Sequence, residues 1–217
     1  MGRALFRDRT DAGRRLARAL AEFKGAGAIV LGIPRGGVVV AAEVADELGA
    51  QLDVIITRKI EAPGEPEFAL GAVTQEGEAI LDRQAAESLG ASQDYLDEQI
   101  RRKQAEVKER MKRIRGDRPY PELGGRVVIV VDDGIATGSS MGAAVMSVRK
   151  RSPKSIVVAV PVAPQDAIDS LSEDGTRVVC LERPADFLAI GEFYTNFVQV
   201  EDSEVAKLIE ERRNGRF

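Results

Sequence analysis

A chain of 217 residues, 44% hydrophobic and 30% charged, can bury one α/β core with a modest addition, and nothing in it reads as disordered. Its 31 basic and 35 acidic residues leave a net charge of −4, which argues against general nucleic-acid binding. Histidine is absent, which removes the commonest general base, the usual catalytic zinc ligands and every histidine-containing triad.

The single cysteine, Cys180, cannot form an intrachain disulfide, and its setting in Val178-Val179-Cys180-Leu181 suggests an inert strand residue. No 18-residue apolar stretch occurs and the segment 1–8 lacks a long apolar core, so neither export nor membrane insertion is indicated. A reducing, cytoplasmic setting is the expectation.

In chain order, the periodicity predicts a helix over 11–23 and a buried strand over 28–33 that ends in Arg35-Gly36-Gly37. The two glycines allow positive φ and close backbone approach, while Arg35 offers a planar donor fork. Most such triplets are plain turns, but the place of this one after a buried strand favours an anion loop. A helix over 38–48 and a strand over 52–57 come next. That strand delivers Arg58 and Lys59 into a Pro/Gly-punctuated loop containing Glu65, Pro66 and Glu67. Two cations at a strand end suit phosphate; a solvated loop with snorkelling side chains is the plain alternative.

Strands over 68–73 and 79–81 and a helix over 83–89 precede a long helix that runs from an N-cap at Ser92 to about residue 115. It carries Leu96, Ile100, Val107, Met111 and Ile114 as one apolar stripe, and eight basic residues over 101–115 against Glu106 and Glu109. A solvated face, a subunit interface and a nucleic-acid or nucleotide contact all remain open for its basic side. A Gly/Pro-rich connector follows over 116–125.

The most informative stretch is next. Val127-Val128-Ile129-Val130-Val131 runs directly into Asp132-Asp133-Gly134-Ile135-Ala136-Thr137-Gly138-Ser139-Ser140. A continuous β-branched run reads as a buried parallel strand, and open α/β sheets place ligand groups at the carboxyl ends of such strands. Ala136 to Ser140 has no bulky side chain to keep backbone N–H groups from closing around an anion, and Thr137, Ser139 and Ser140 offer hydroxyls. The helical pattern over 141–150 would put this cradle at a helix N-terminus. Carboxylates beside a phosphate nest describe a site for a polyol phosphate such as ribose 5-phosphate. Strand 155–160, helix 164–171, strand 177–181 and helix 202–213 complete a parallel sheet with helices on both faces.

The apolar run, acid pair, Thr-Gly and hydroxyl pair resemble, over about 13 positions, the phosphoribosyl diphosphate signature of the type I phosphoribosyltransferases. The resemblance implies an α/β open parallel sheet as one domain over 1–217, with a core at about 25–182, a helical insertion at about 82–120 and a hood from about 1–12 and 183–200. It further implies magnesium-dependent transfer of phosphoribose from its 1-diphosphate to a nitrogenous acceptor, with departure of diphosphate. On that reading Asp132 and Asp133 serve the ribose hydroxyls and the metal, and Ala136, Thr137, Gly138, Ser139 and Ser140 hold the 5-phosphate. Arg35, Gly36, Gly37, Arg58 and Lys59 face diphosphate, with Lys59 counted beside the aspartates in catalysis, and Glu65 or Glu67 in the lid accepts a proton.

Base recognition in this family lies in the hood. Phe187, Phe193 and Tyr194 stand in a stretch similar to that of the hypoxanthine-guanine enzymes, where an aromatic residue stacks on the base; packing of the last helix is the equal alternative. The 6-oxopurine enzymes have Asp where this chain has Ala136 and often Lys where it has Ser139. Ala136 and the Arg58-Lys59 pair look more like the adenine enzymes, although the lid does not match them and the basic helix is unlike either group. Expected partners are phosphoribosyl diphosphate and a small base, with a homodimer left open. The second functional reading is a non-catalytic sensor of phosphoribosyl diphosphate or a nucleotide, presenting the basic helix to RNA or a protein.

Overall fold

The computed structural model describes residues 4–213 except Asp174, and of residues 66 and 67 the backbone alone. Five strands, β1 (Ile29–Gly32), β2 (Gln51–Val54), β6 (Val127–Val131), β7 (Ser155–Val162) and β8 (Arg177–Glu182), form a parallel sheet in the order β2-β1-β6-β7-β8. The alternation of side chains along a strand explains why β6 is apolar throughout. Ile129 and Val131 enter one core with helices α1 (Arg9–Ala19) and α2 (Gly36–Leu48), whereas Val128 and Val130 enter another with α5 (Ser139–Arg149) and α6 (Gln165–Ser172).

This order fixes where a site can form. From β1 the chain crosses through α2 to β2 on one side, and from β6 it crosses through α5 to β7 on the other, so strand order reverses between β1 and β6. The two strands pair in register from Ile29 with Val128 to Gly32 with Val131, and Ile33 N–H continues the ladder to the Val131 carbonyl at 2.9 Å. The turns that leave them therefore open side by side, in the crevice where open α/β sheets bind ligands.

A second, antiparallel sheet joins β3 (Arg58–Ala62), β4 (Glu65–Val73) and β5 (Ala79–Leu81). Here the structure corrects the expected strand over 52–57 and the loop behind it. The parallel strand stops at Val54, and the Pro/Gly stretch is the two-residue turn of a hairpin, with Gly64 at φ +77°. Glu-Pro-Glu reads locally as loop, and antiparallel pairing of β4 with β3, from Ala62 opposite Glu65 to Arg58 opposite Val73, overrides that preference.

Helix α3 (Arg83–Ser88) leads to α4 (Gln93–Arg115), which starts where the Ser92 hydroxyl accepts the Tyr95 N–H. Leu96, Val107 and Ile114 are buried and Ile100 and Met111 pack beside them, so the apolar stripe seats the helix on the antiparallel sheet and on α7 (Asp202–Arg213). Segments near the two ends of the described chain meet in a small hood. Phe6 bridges Tyr194, and Phe6, Ala12, Val162, Phe193 and Tyr194 make a third apolar cluster. Among the described residues no helix is long and apolar enough to cross a membrane.

Candidate active site

At the end of β6 the chain turns through Asp132 and Asp133 into a cradle that ends on Gly138, whose φ of +80° suits glycine and starts α5 at Ser139. This start is two residues earlier than the periodicity suggests, because Ser139 and Ser140 are themselves in the first turn. The N–H groups of Ser139, Ser140 and Met141 thus have no intrahelical acceptor and lie at the positive end of the helix dipole. Beside them is a hollow of about 160 Å³ lined by Asp132 and residues 134–141 and closed on one side by Ile190 of the hood. Ala136, Thr137 and Ser140 are exposed, and the Thr137 and Ser139 hydroxyls lie 3.1 Å apart. Larger hollows of about 440, 460 and 510 Å³ open elsewhere on the described surface, away from the acids and these N–H groups.

The β1 turn presses on the acid pair. A methyl group at Gly36 would stand 1.9 Å from Asp133 Oδ2, and one at Gly37 would stand 2.6 Å from Asp132 Oδ1. Only glycine lets this loop lie against both carboxylates. The Pro34–Arg35 peptide is cis, and Arg35 is exposed at the loop's outer edge.

The two aspartates are not equivalent. Asp132 is half-buried and lines the hollow, its Oδ1 accepting the Asp133 N–H at 2.8 Å. Burial first, and the Asp133 charge next, push its carboxyl well above the usual carboxylate range. Asp133 is buried, and its Oδ2 accepts Arg9 Nε at 2.7 Å. Arg9 also lies over the Phe197 ring at 3.8 Å and donates to the Val198 carbonyl, so Asp133 ties the strand end to the hood. Sequence reasoning named the segment containing Arg9 but gave that residue no role; 124 positions separate it from Asp133, and no local pattern marks the pair.

Of the other predicted residues, Arg58 is half-buried at the start of β3 with its Nε on Glu106 at 3.1 Å, and Lys59 follows it, also half-buried. Glu65 is exposed where the hairpin returns, while the Glu67 side chain lies outside the described residues. Phe193 and Tyr194 are buried in the hood cluster, with Phe187 against Phe193 at 5.2 Å between centroids and Tyr194 donating to the Asp133 carbonyl at 2.6 Å. Their rings build the hood. Burial also raises the Tyr194 phenol, which keeps it a neutral donor. Cys180 is a half-buried strand residue whose thiol burial pushes up, as an inert cysteine requires.

A divalent ion fits this donor set in one manner. Among the described residues no group of three or more Asp, Glu, Cys or His side chains forms a protein-only cage. Magnesium commonly takes only one or two carboxylates when substrate phosphates and water complete its shell, and Asp132 facing the hollow meets that demand.

A parallel sheet whose switch-point crevice pairs a first-turn cradle with strand-end acids is the architecture of α/β proteins that handle phosphorylated ligands. The chain belongs to the phosphoribosyl transferase domain family, whose family model matches residues 7–197. A Mycobacterium tuberculosis protein named "Putative phosphoribosyl transferase Rv0571c" is 41% identical over 206 residues. That match covers 95% of this chain and 46% of the relative, so the chain spans about half the relative's length. The crystal structure of TT1426 from Thermus thermophilus superposes with a TM-score of 0.88 at 47% identity, over 95% of this chain and 98% of that one. A Neisseria gonorrhoeae protein solved with bound ppGpp shares the fold, with a TM-score of 0.52 at 14% identity over 98% and 99% of the two chains.

Proposed function

We propose that this phosphoribosyltransferase moves 5-phosphoribose from phosphoribosyl diphosphate to a nucleobase, with magnesium as the accompanying ion. One observation carries the reading: a neutral N–H cradle, a ligand-facing carboxylate and an Arg-Gly-Gly loop share a single crevice between β1 and β6. The cradle takes the 5-phosphate and Asp132 the ribose hydroxyls. Magnesium, when bound, would be held by Asp132 together with substrate oxygens and would neutralise charge on the leaving diphosphate. Asp133, fastened to Arg9, acts as a positioning residue.

In the reaction the C1–O bond breaks with its electron pair leaving on diphosphate, the acceptor nitrogen forms the C1–N bond, and the acceptor's N–H proton departs. Because the sugar is oxocarbenium-like midway, the protein's task is to align reactants and balance charge. The carboxylate of Asp132 faces the developing positive charge and Arg35, Arg58 and Lys59 the departing negative one. Glu65 and Glu67 remain the proposed acceptors of the proton. Ala136 supplies no carboxylate for a purine imidazole nitrogen, which favours an adenine-like acceptor over a 6-oxopurine. The buried hood rings support stacking less than packing; Phe197, 37% exposed, is the ring with open surface nearest Asp133's partner Arg9.

For the sensor reading, α4 keeps Arg101, Lys108 and Lys112 exposed, whereas Arg102, Lys103, Arg110, Arg113 and Arg115 are engaged in ion pairs within the chain. The test is incubation with the diphosphate donor, magnesium and a panel of bases, with released diphosphate as readout and calorimetry of donor binding alongside. Release with one base is expected. Donor binding without release for any base would leave the sensor, and a failure to bind donor at all would overturn the proposal.

A further inference from the structure

A second hollow, of about 230 Å³, lies where α4 meets the start of β3 and the N-terminus of α7, and four arginines line it: Arg35, Arg58, Arg110 and Arg113. Three carboxylates share the space. Glu106 holds Arg58 at 3.1 Å, Glu109 pairs with Arg113 on the helix surface, and Asp202 reaches Arg110 at 3.2 Å and Arg113 at 3.1 Å. Four cations against three anions leave an excess of positive charge. The guanidinium of Arg35, which opens the loop that abuts Asp132 and Asp133, has no hydrogen-bond or ion-pair partner among the described residues, while its carbonyl accepts the Val38 N–H at 3.2 Å.

Arg110 is where the imbalance concentrates. Its Nε is buried and has no hydrogen-bond partner, a condition that among the described residues only Gln75 Oε1 shares. Burial lowers its pKa, and the neighbouring charges of Arg58 and Arg35 lower it further against the opposing pull of Asp202. A buried donor without an acceptor is costly, and a guanidinium fork matches two oxygens of a phosphoryl group.

We propose that Arg110, seconded by Arg113, is a binding residue for the diphosphate group, and that Asp202 occupies the same two guanidiniums until the anion displaces it. This rests on the transferase reading above and extends its diphosphate site from the Arg35 loop onto α4. It also explains why so basic a helix is attached to a mildly acidic chain. A diphosphate carries more charge and more oxygens than one carboxylate, so it outcompetes Asp202 where a neutral ligand could not. Removal of the competitor should therefore strengthen binding, which a merely structural ion pair would not do.

The experiment is titration calorimetry of the full chain, with magnesium, against inorganic diphosphate, inorganic phosphate, ribose 5-phosphate and phosphoribosyl diphosphate, for wild type, Arg110→Gln and Asp202→Asn. Loss of a charge-assisted hydrogen bond predicts diphosphate and donor affinities about 10–100-fold weaker in Arg110→Gln, with ribose 5-phosphate unchanged. Asp202→Asn should bind diphosphate several-fold more tightly. Unchanged diphosphate affinity in Arg110→Gln overturns the proposal, as does diphosphate binding no tighter than inorganic phosphate. Should Arg110→Gln lose ribose 5-phosphate as well, Asp202→Asn decides, and unchanged or weaker diphosphate binding there sinks it. Wild type that ignores both ribose 5-phosphate and donor would instead remove the transferase reading itself.

Discussion

The cradle before α5 and the hollow against α4 are both suited to phosphoryl groups, yet they are built by opposite means. The first has one short segment of small residues, no basic side chain, and N–H groups at a helix start. The second draws arginines from the α2 start, β3 and α4, and holds them with carboxylates from α4 and α7. Backbone donors are fixed by the fold and stay neutral, so they need no counter-ion. Clustered guanidiniums repel one another and must be restrained by acids until a ligand arrives. A cradle of the first kind suits a group that is held throughout a reaction, and a cluster of the second kind suits one that must enter and leave.

Substitutions can break or sharpen that contrast. The largest effect is expected from Asp132→Asn, which removes the one ligand-facing carboxylate beside the neutral cradle: kcat/KM should fall by about 10²–10³-fold in a diphosphate-release assay. Activity near wild type would mean the acids do not serve the sugar. Next comes Arg115→Ala, away from both hollows, which strands the buried Asp53 carboxylate that Arg115 contacts at 2.7 and 2.8 Å. Breaking such a pair costs about 3–5 kcal/mol, a drop of about 6–20 °C in Tm by calorimetry, while the activity of the folded enzyme is kept. A shift under 2 °C, about 0.5 kcal/mol, would show the pair to be idle.

Gly37→Ala tests the loop that joins the two regions. Its methyl group would sit 2.6 Å from Asp132 Oδ1 and 2.7 Å from Asp132 Cα, so the backbone must shift, and misplacement by about 1 Å costs on the order of 10²-fold in rate. Gly142→Ala in α5, where a methyl group meets nothing within 4 Å, serves as the control and should leave activity intact. The smallest effect concerns pH. The folded state raises the Asp132 pKa, so stability from the protonated form is fully present below the unfolded value of about 3.9 and is lost as pH rises through the folded one. Asp132→Asn should therefore match wild type in Tm near pH 4 and exceed it increasingly toward neutrality, and a difference independent of pH would contradict the burial of this carboxylate.

What could be read without coordinates was local in the chain. Val127 to Val131 had to be a buried strand because nothing polar interrupts it, and the small residues behind Asp133 could only make a tight turn at a helix start. Arg35-Gly36-Gly37 follows an apolar strand as expected, whereas Arg58-Lys59 opens β3 and does not close the parallel strand, which stops at Val54. The hairpin at Pro63-Gly64 was not legible, because its strands are chosen by pairing across the turn and Glu-Pro-Glu favours no sheet by itself.

Sequence by itself determined that a turn of small residues at a helix start and an acid pair adjoin, since fourteen consecutive residues contain both. Only the tertiary structure decided which acid faces the hollow and which is spent on Arg9, and that Arg110 of a remote helix joins Arg35 and Arg58. Charges act through space, and Arg9 and Asp133 lie 124 positions apart, so burial and pairing in the folded chain, not residue type, assign each its role.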